Sequence, residues 1–183
     1  VASFGRDAAP TEELLATAEV ATPGASTIED LARFLDIPAA RTAKAVFMVA
    51  EINDEESKLV FALIRGDLEV NETKLANAAG ARSLRPARPE EIEAAESVAG
   101  YASPVGLADV EVIADPSIES TPNLVAGANR EGYHTRNVNY GRDFTASIVT
   151  DIAAAETGHP CPDCGKPLEA HRGVELGNIF KLG

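Results

Sequence analysis

Two long apolar runs separated by a short polar turn constrain the fold of this chain most. The runs are "KAVFMVAE" at 44–51 and "KLVFALIRGD" at 58–67, and "INDEES" at 52–57 joins them. Apolar runs of this length, rich in β-branched and aromatic residues and bounded by a polar turn, are typical of paired strands. The sequence therefore predicts a β-hairpin whose strands are buried on at least one face.

Short helices and further strands are predicted around this hairpin. Helix signals lie in "ASTIEDLARFLDIP", where Ser26 and Glu29 have the spacing of a capping box, and in "VNETKLANAAGA" and "RPEEIEAAESVAG", which both run into a glycine. Further strand candidates are "VEVIAD", "NLVAGAN" and "HTRNVNY". This mixture predicts an α+β fold, with a mostly antiparallel, mixed and barrel-like sheet surrounded by short helices.

Composition limits the classes of function. The chain has 183 residues, 45% of them apolar, which suits one domain with a real core. A net charge of −13 argues against binding nucleic acid by coating it with positive surface, but it permits contact with the end of a nucleic acid. No stretch approaches the roughly 18 apolar residues of a membrane span, and the first residues lack the charged start and apolar run of a signal peptide, so we expect a cytoplasmic protein without a membrane partner.

Several local strings occur in an order that matches one known family. They are "VATPG" at 20–24, "TIEDLARFL" at 27–35, "RTAKAV" at 41–46, "ALIRGDLEVNETKL" at 62–75, "GYASP" at 100–104, "VIAD" at 112–115, "AGANREGYH" at 126–134 and "NYGRDF" at 139–144. Together they resemble the editing domain inserted in bacterial-type prolyl-tRNA synthetase. The closing "HRGVELGNIFKLG" is similar to the segment that leads back to the class II catalytic domain of that enzyme.

The resemblance implies a division of the chain and a function. Residues 1–16 would be a linker from the catalytic domain, 17–155 the editing domain, and 156–183 a Cys-x-x-Cys turn with the return segment. The editing domain would hydrolyse alanyl-tRNA(Pro), because a proline pocket rejects the smaller alanine by only about 1 to 3 kcal/mol per missing methylene. The alternatives are an insertion that positions tRNA without hydrolysis and a free-standing trans-editing deacylase.

The resemblance also implies partners and cofactors. The partners would be the 3′ end of tRNA(Pro) carrying alanine and the catalytic and anticodon-binding domains of the same synthetase, which is expected to be a homodimer. Editing would need no cofactor, whereas the full-length synthetase would use ATP and Mg²⁺. This chain alone should not activate proline.

Lys44 and Gly100 are the catalytic positions that the resemblance implies. The family lysine ahead of the first long strand is thought to hold the tRNA 3′ end by a phosphate, and Lys44 stands at that position. The residues alone leave open that Lys44 is a solvated strand edge. Gly100 begins a Gly-x-x-x-Pro element whose backbone N–H groups could bind an oxyanion. A glycine that ends a helix before a turn would give the same pattern.

Five further residues are implied in substrate binding: Thr22, Ser103, Pro104, Asp115 and His134. Asp115 could bind the α-ammonium of the substrate, or it could cap the turn at Pro116. His134 would shape the small amino-acid pocket, although a lone histidine is often structural. Thr22 would lie near the pocket, or it is a turn residue before Pro23. No Ser-His-Asp set is evident, so we expect water to attack with help from the ribose hydroxyl of the substrate.

Cys161 and Cys164 are the two cysteines, in a Cys-x-x-Cys turn. With His159 and His171 nearby they offer half of a structural zinc site. No second Cys-x-x-Cys exists in the sequence, so the pair remains a weak metal candidate and no metal is predicted. The alternative is a reduced turn built on Pro162 and Gly165.

Overall fold

The computed structural model describes residues 2–6, 11–107 and 110–171. The predicted return segment falls almost wholly on residues 172–183, outside the described part of the chain. The predicted hairpin is confirmed: β2 (Ala43–Glu51) and β3 (Ser57–Arg65) pair antiparallel along their whole length. Phe47 lies opposite Phe61 in this register, and the two rings contact edge to face with centroids 4.9 Å apart.

Strand β3 is buried on both faces, which explains its unbroken apolar run. Phe61 and Leu63 pack into one hydrophobic cluster, whereas Val60 and Ile64 point to the opposite face and pack with Leu75. All four strand residues are fully buried. A strand with helices or a second sheet on both faces needs apolar residues at successive positions rather than at alternate ones.

The α+β class is confirmed, and the described strands form two sheets rather than one closed barrel. The larger sheet has the order β4-β2-β3-β5-β8, in which β3–β5 and β5–β8 are parallel pairs. The smaller sheet is antiparallel, with the order β1-β7-β6. The remaining strands are β1 (Ala18–Ala21), β4 (Ser83–Pro86), β5 (Glu111–Ala114), β6 (Leu124–Gly127), β7 (Tyr133–Val138) and β8 (Ile148–Val149).

In the described part of the chain, four short α-helices accompany the sheets: α1 (Ile28–Leu35), α2 (Glu72–Ala79), α3 (Pro89–Ala94) and α4 (Pro116–Glu119). The cap predicted for α1 at Ser26 is wrong by one residue. Thr27 is the N-cap, and its side chain accepts a hydrogen bond from the Asp30 backbone N–H at 3.1 Å. Ser26 and Glu29 are therefore not used in capping. None of the helices in the described ranges is long and apolar enough to span a membrane.

The two sheets meet beside α1. Thr42, directly before β2, forms a parallel bridge with Val125 of β6. Leu31 of α1 packs with Ala25 and Val125 in a separate small cluster, so the helix lies over this junction. The start of β2 and the end of β6 consequently lie next to the first turns of α1.

The residues near the N-terminus pack against the last described segment. Gly5 donates its backbone N–H to the Pro160 carbonyl at 2.7 Å, and the rings of Phe4 and His159 lie 4.2 Å apart. Arg6 forms ion pairs with the carboxylates of Asp115 and Asp151. Two parts of the chain separated by about 150 residues are thus joined at one patch.

Candidate functional site

A cleft of about 260 Å³ opens at the junction of α1, β2 and the smaller sheet. The structure brings three of the predicted site residues into its lining, namely Lys44, Gly100 and His134. They come from β2, from the Gly-x-x-x-Pro loop and from β7. The complete lining is Ser26, Thr27, Ile28, Glu29, Leu31, Ala43, Lys44, Ala45, Gly100, Ala102, Gly127 and His134.

Lys44 lines the cleft, and the two partners of its ammonium group, Leu68 and Glu69, lie outside the lining. Its side chain is 19% exposed, and its Nζ donates to the Leu68 carbonyl at 2.9 Å and to Glu69 Oε1 at 2.6 Å. An ammonium group has three N–H donors, and these two contacts use two of them. The buried stem and these two partners fix the side chain, and one N–H has no partner among the described residues.

Gly100 and Ala102 of the Gly-x-x-x-Pro loop line the same cleft. Gly100 has φ +80°, a conformation that favours glycine, and a Cβ there would lie 3.1 Å from the Cβ of Ser26. The Tyr101 N–H binds the Val98 carbonyl, and the Ser103 N–H binds Asn129 Oδ1. The N–H groups of Gly100 and Ala102 have no hydrogen-bond partner among the described residues. These two donors are available to a ligand with a negative or partly negative oxygen.

His134 forms part of the lining and is held from behind by Thr22. The His134 Nδ1 lies 2.6 Å from Thr22 Oγ1, and the Tyr101 ring lies 5.4 Å from the imidazole. Thr22 is fully buried, so it does not line the cleft itself. Burial lowers the pKa of His134, so its neutral form is favoured. Because Nδ1 meets a hydroxyl rather than a carboxylate, the geometry is not that of a catalytic triad.

Ser103 and Pro104 do not line the cleft. Both are buried, and Ser103 is 3% exposed. The Ser103 hydroxyl accepts from the Val105 N–H at 3.1 Å, and the Ser103 amide binds Asn129. Asn129 has φ +49° and also accepts from the Ser97 hydroxyl, so its side chain fastens this loop. The contacts of Ser103 therefore position the loop that carries Gly100.

Asp115 also lies away from the cleft, contrary to the position expected for a ligand of the α-ammonium group. It is fully buried, and it caps α4 by accepting from the Ser117 N–H at 2.9 Å. Its second oxygen accepts from Arg6 at 2.8 Å and from the Ile152 N–H at 3.1 Å. The capping role that the sequence left open for Asp115 is the one that its contacts describe.

Cys161 and Cys164 are free thiols in a small turn that does not contribute to the cleft. The turn is closed by the Cys161 N–H, which donates to the Lys166 carbonyl at 2.7 Å. The backbone N–H groups of Cys164 and Asp163 next to its sulfur lower the pKa of Cys161. No group of three or more metal-ligating side chains occurs in the ranges that the structure describes.

Gly127 and Glu29 are among the lining residues that the sequence did not indicate as site residues. Gly127 ends β6, and a Cβ there would lie 2.1 Å from the Tyr101 carbonyl oxygen, so only glycine lets β6 pass this close to the loop. A glycine inside a strand pattern is a known signal of close backbone approach, and "NLVAGAN" contains it. Glu29 is the acidic residue of the lining, and its local signal, the capping-box spacing with Ser26, indicated a helix cap rather than a site.

A family model and curated proteins are similar to this chain. The family model described as "Aminoacyl-tRNA editing domain" matches residues 22–144, which include Lys44, the loop at 100–104 and His134. The proline–tRNA ligase of Salinispora tropica is 50% identical across the whole chain, and that of Dehalococcoides mccartyi is 49% identical. The chain spans only 31% of the length of each of these two relatives.

A solved structure supports the fold assignment independently. It belongs to a candidate trans-editing enzyme for prolyl tRNA synthetase, which is 19% identical to this chain. The two superpose with a TM-score of 0.59 over 75% of this chain and 87% of the other. At this identity the likeness concerns the fold alone, whereas the family match extends over most of the chain. The chain therefore belongs to the family of aminoacyl-tRNA editing domains.

Proposed function

We propose that this chain is the cis-editing domain of a proline–tRNA ligase and hydrolyses alanyl-tRNA(Pro). Residues 17–155 would form the editing domain, and residues 1–16 and 156–183 would connect it to the rest of the longer enzyme. The proposal is supported by the family match and by relatives of which this chain spans about one third. Activation of proline would take place outside this chain.

The observation that carries the proposal is the composition of the cleft. Its lining includes Lys44, whose ammonium group retains one N–H donor, and Gly100 and Ala102, whose backbone amides have no partner among the described residues. A cation suits a phosphate of the tRNA 3′ end, and paired amides suit the oxyanion that forms when an ester is attacked. A site that only positioned tRNA would need the cation but not the amides.

The proposed reaction is hydrolysis of an ester by water. Water adds to the carbonyl carbon of the aminoacyl ester, and the carbonyl oxygen becomes an oxyanion facing the amides of Gly100 and Ala102. The bond between this carbon and the ribose oxygen then breaks, and the ribose oxygen takes up a proton, so that alanine and tRNA are released. The neighbouring ribose hydroxyl of the substrate would relay the proton, because His134 binds a hydroxyl outside the lining and the Thr27 hydroxyl is used in capping α1.

The same cleft supports recognition of a small amino acid. The His134 ring and Leu31 form bulky parts of the lining, and an alanyl methyl needs little space beside them. Glu29, rather than the buried Asp115, is the carboxylate placed to meet the α-ammonium group of the substrate. Apolar attraction alone would favour the larger prolyl side chain. Its rejection therefore requires a wall, that is, bulky lining residues that exclude it sterically.

Partners and cofactors follow from the proposed role. The partners would be the 3′ end of tRNA(Pro) carrying alanine and the catalytic and anticodon-binding domains of the same cytoplasmic enzyme, acting as a homodimer. The hydrolysis would use no cofactor. ATP and Mg²⁺ would serve the activation of proline elsewhere in that enzyme.

The test is hydrolysis of alanyl-, prolyl- and cysteinyl-tRNA by this chain. We expect release of alanine and no release of proline. The alternative role of positioning tRNA predicts binding of all three without hydrolysis. The proposed deacylase activity would be refuted if a folded sample binds the tRNA but releases alanine from alanyl-tRNA no faster than the uncatalysed control.

A further inference from the structure

Thr22 and His134 form a buried pair behind the cleft whose hydrogen bond has a definite direction. The Thr22 side chain is fully buried, and its Oγ1 lies 2.6 Å from His134 Nδ1. The backbones are fixed as well, because Val20 lies opposite His134 between β1 and β7 and the Thr22 N–H donates to the Gly132 carbonyl at 2.7 Å. The pair is therefore built into the smaller sheet.

The hydroxyl of Thr22 has to be the donor in this pair. Within the described residues it has no hydrogen-bond partner other than Nδ1. If Nδ1 carried the proton and donated to the hydroxyl oxygen, the hydroxyl hydrogen would be buried without an acceptor, which is costly. Donation from the hydroxyl to Nδ1 satisfies both groups. A neutral ring then carries its proton on Nε2.

We propose that Thr22 is a positioning residue that fixes His134 as the Nε2–H tautomer and directs that N–H edge of the ring into the cleft. Since Nδ1 is hydrogen-bonded to Thr22 behind the ring, the opposite edge of the ring, which carries Nε2, is the edge that meets the cleft. Burial of His134 lowers its pKa and favours the same neutral ring. Thr22 thus acts on the cleft through His134 rather than by contact with a ligand.

This tautomer adds a hydrogen-bond donor to the wall that the bulky His134 ring forms in the cleft. A prolyl ring pressed against the Nε2–H would leave that donor without an acceptor, whereas an alanyl methyl leaves room for the donor to find one. The expected effect on the choice between alanyl- and prolyl-tRNA rests on the proposed function, whereas the tautomer does not depend on it. A ring free to rotate or to change its tautomer would discriminate less.

The tautomer is measured first, without tRNA, by ¹⁵N-correlated NMR of the imidazole rings of this chain. It has three histidines, and the His134 signals are identified by their loss in His134→Gln. We expect an unprotonated Nδ1 and a protonated Nε2 at neutral pH. A protonated Nδ1 in the wild-type spectrum would overturn the proposal whatever the variants do.

Thr22→Val and Thr22→Ser then test the positioning role. Valine keeps the shape and removes the hydroxyl, whereas serine keeps the hydroxyl. We expect Thr22→Val to give mixed tautomers and to reduce the preference for alanyl- over prolyl-tRNA roughly tenfold, about the effect of one hydrogen bond. Thr22→Ser should restore the wild-type spectrum and preference.

The outcomes separate this proposal from the deacylase itself. A Thr22→Val protein with the wild-type spectrum and preference would overturn the positioning role, and so would a Thr22→Ser protein that behaves like Thr22→Val. If Thr22→Val does not fold, the wild-type spectrum and Thr22→Ser still decide. A wild-type chain that leaves alanyl-tRNA intact would overturn the proposed function and the discriminating role, while the spectrum would still decide the tautomer.

Discussion

Lys44 combines a buried stem with an ammonium group that is only partly used by the protein. Its partner Glu69 is 65% exposed, and exposed ion pairs contribute about 0 to 1 kcal/mol to stability. The contact with the Leu68 carbonyl fixes the direction of the side chain without neutralising its charge. Replacing Lys44 should therefore change the stability of the fold little, so a change in activity would report on the proposed phosphate contact.

We predict that Lys44→Ala reduces kcat/KM for alanyl-tRNA hydrolysis by roughly ten- to a hundredfold, because a hydrogen bond to a charged group is worth about 1.5 to 3 kcal/mol. The thermal melting temperature should stay close to that of the wild type. The matched control is Lys58→Ala, which removes a strand lysine paired with Glu111 outside the cleft. Equal activity of the two folded variants would refute the phosphate contact.

We predict that His134→Ala begins to hydrolyse prolyl-tRNA. Removing the ring enlarges the cleft on the side where the prolyl ring would clash, and hydrolysis of alanyl-tRNA should be retained or only modestly reduced. Deacylation of the two substrates in parallel measures this change. Loss of both activities in a folded protein would mean that His134 is needed for the reaction, and no change in either would place the wall elsewhere.

Some site residues could be predicted from the sequence and others could not. Lys44, Gly100 and His134 were predicted by resemblance, and they converge because β2, the loop and β7 meet beside α1. The position of Asp115 was not predictable. Its principal cation, Arg6, lies 109 residues away along the chain, and no local pattern reports so distant a partner.

At the scale of elements, the contact between β6 and the Gly-x-x-x-Pro loop sets the shape of the cleft. The Asn129 N–H donates to the Tyr101 carbonyl at 2.9 Å, directly after β6 ends. The absence of a side chain at Gly127 is what permits this approach. The strand and the loop consequently hold the backbone amides of Gly100 and Ala102 in a fixed relation to β2.

We predict that Gly127→Ala destabilises the protein by about 1 to 3 kcal/mol or more, the usual effect of forcing extra volume into a packed site. The new Cβ would meet backbone atoms at 2.1 to 2.3 Å, and these cannot move aside as a flexible side chain can. Chemical denaturation measures the change. Gly5→Ala is the control, because its Cβ would have only ordinary contacts at 3.6 Å. Similar stability of both variants would refute the close packing.

The elements that depend on local pattern were predictable, whereas the pairing of distant strands was not. The β2–β3 hairpin follows from two apolar runs and a short turn. The parallel pairing of β3 with β5 joins Val60 to Glu111 and Leu63 to Ala114, and intervening helices separate the two strands in sequence. Nothing in the apolar pattern distinguishes this arrangement from a closed barrel, because a strand buried on both faces has the same composition in each.

At the scale of the whole molecule, the cleft and the Cys-x-x-Cys turn occupy separate regions. The turn packs through Pro160 and His159 against Phe4 and Gly5, and no residue of it lines the cleft. The charged network of Arg6, Asp115 and Asp151 lies on this side as well. Changes in the turn should therefore affect the cleft little.

We predict that replacing both Cys161 and Cys164 with Ser leaves alanyl-tRNA hydrolysis near the wild-type rate, because neither thiol contacts the cleft or forms a disulfide. The activity of the double variant and its metal content by elemental analysis check this. Stoichiometric zinc in the wild type, together with unfolding on chelation, would contradict it and would identify a metal site that uses residues beyond this pair.

The patch where Gly5 meets Pro160 and Arg6 meets Asp115 has a mechanical consequence. Two stretches of chain far apart in sequence are attached to the domain body within hydrogen-bond distance of each other. A pull on the chain at Gly5 would therefore reach the Pro160 carbonyl and, through Arg6, the buried Asp115 carboxylate. None of these residues lines the cleft, so we expect the strain to be spread at this patch while the cleft keeps its own geometry.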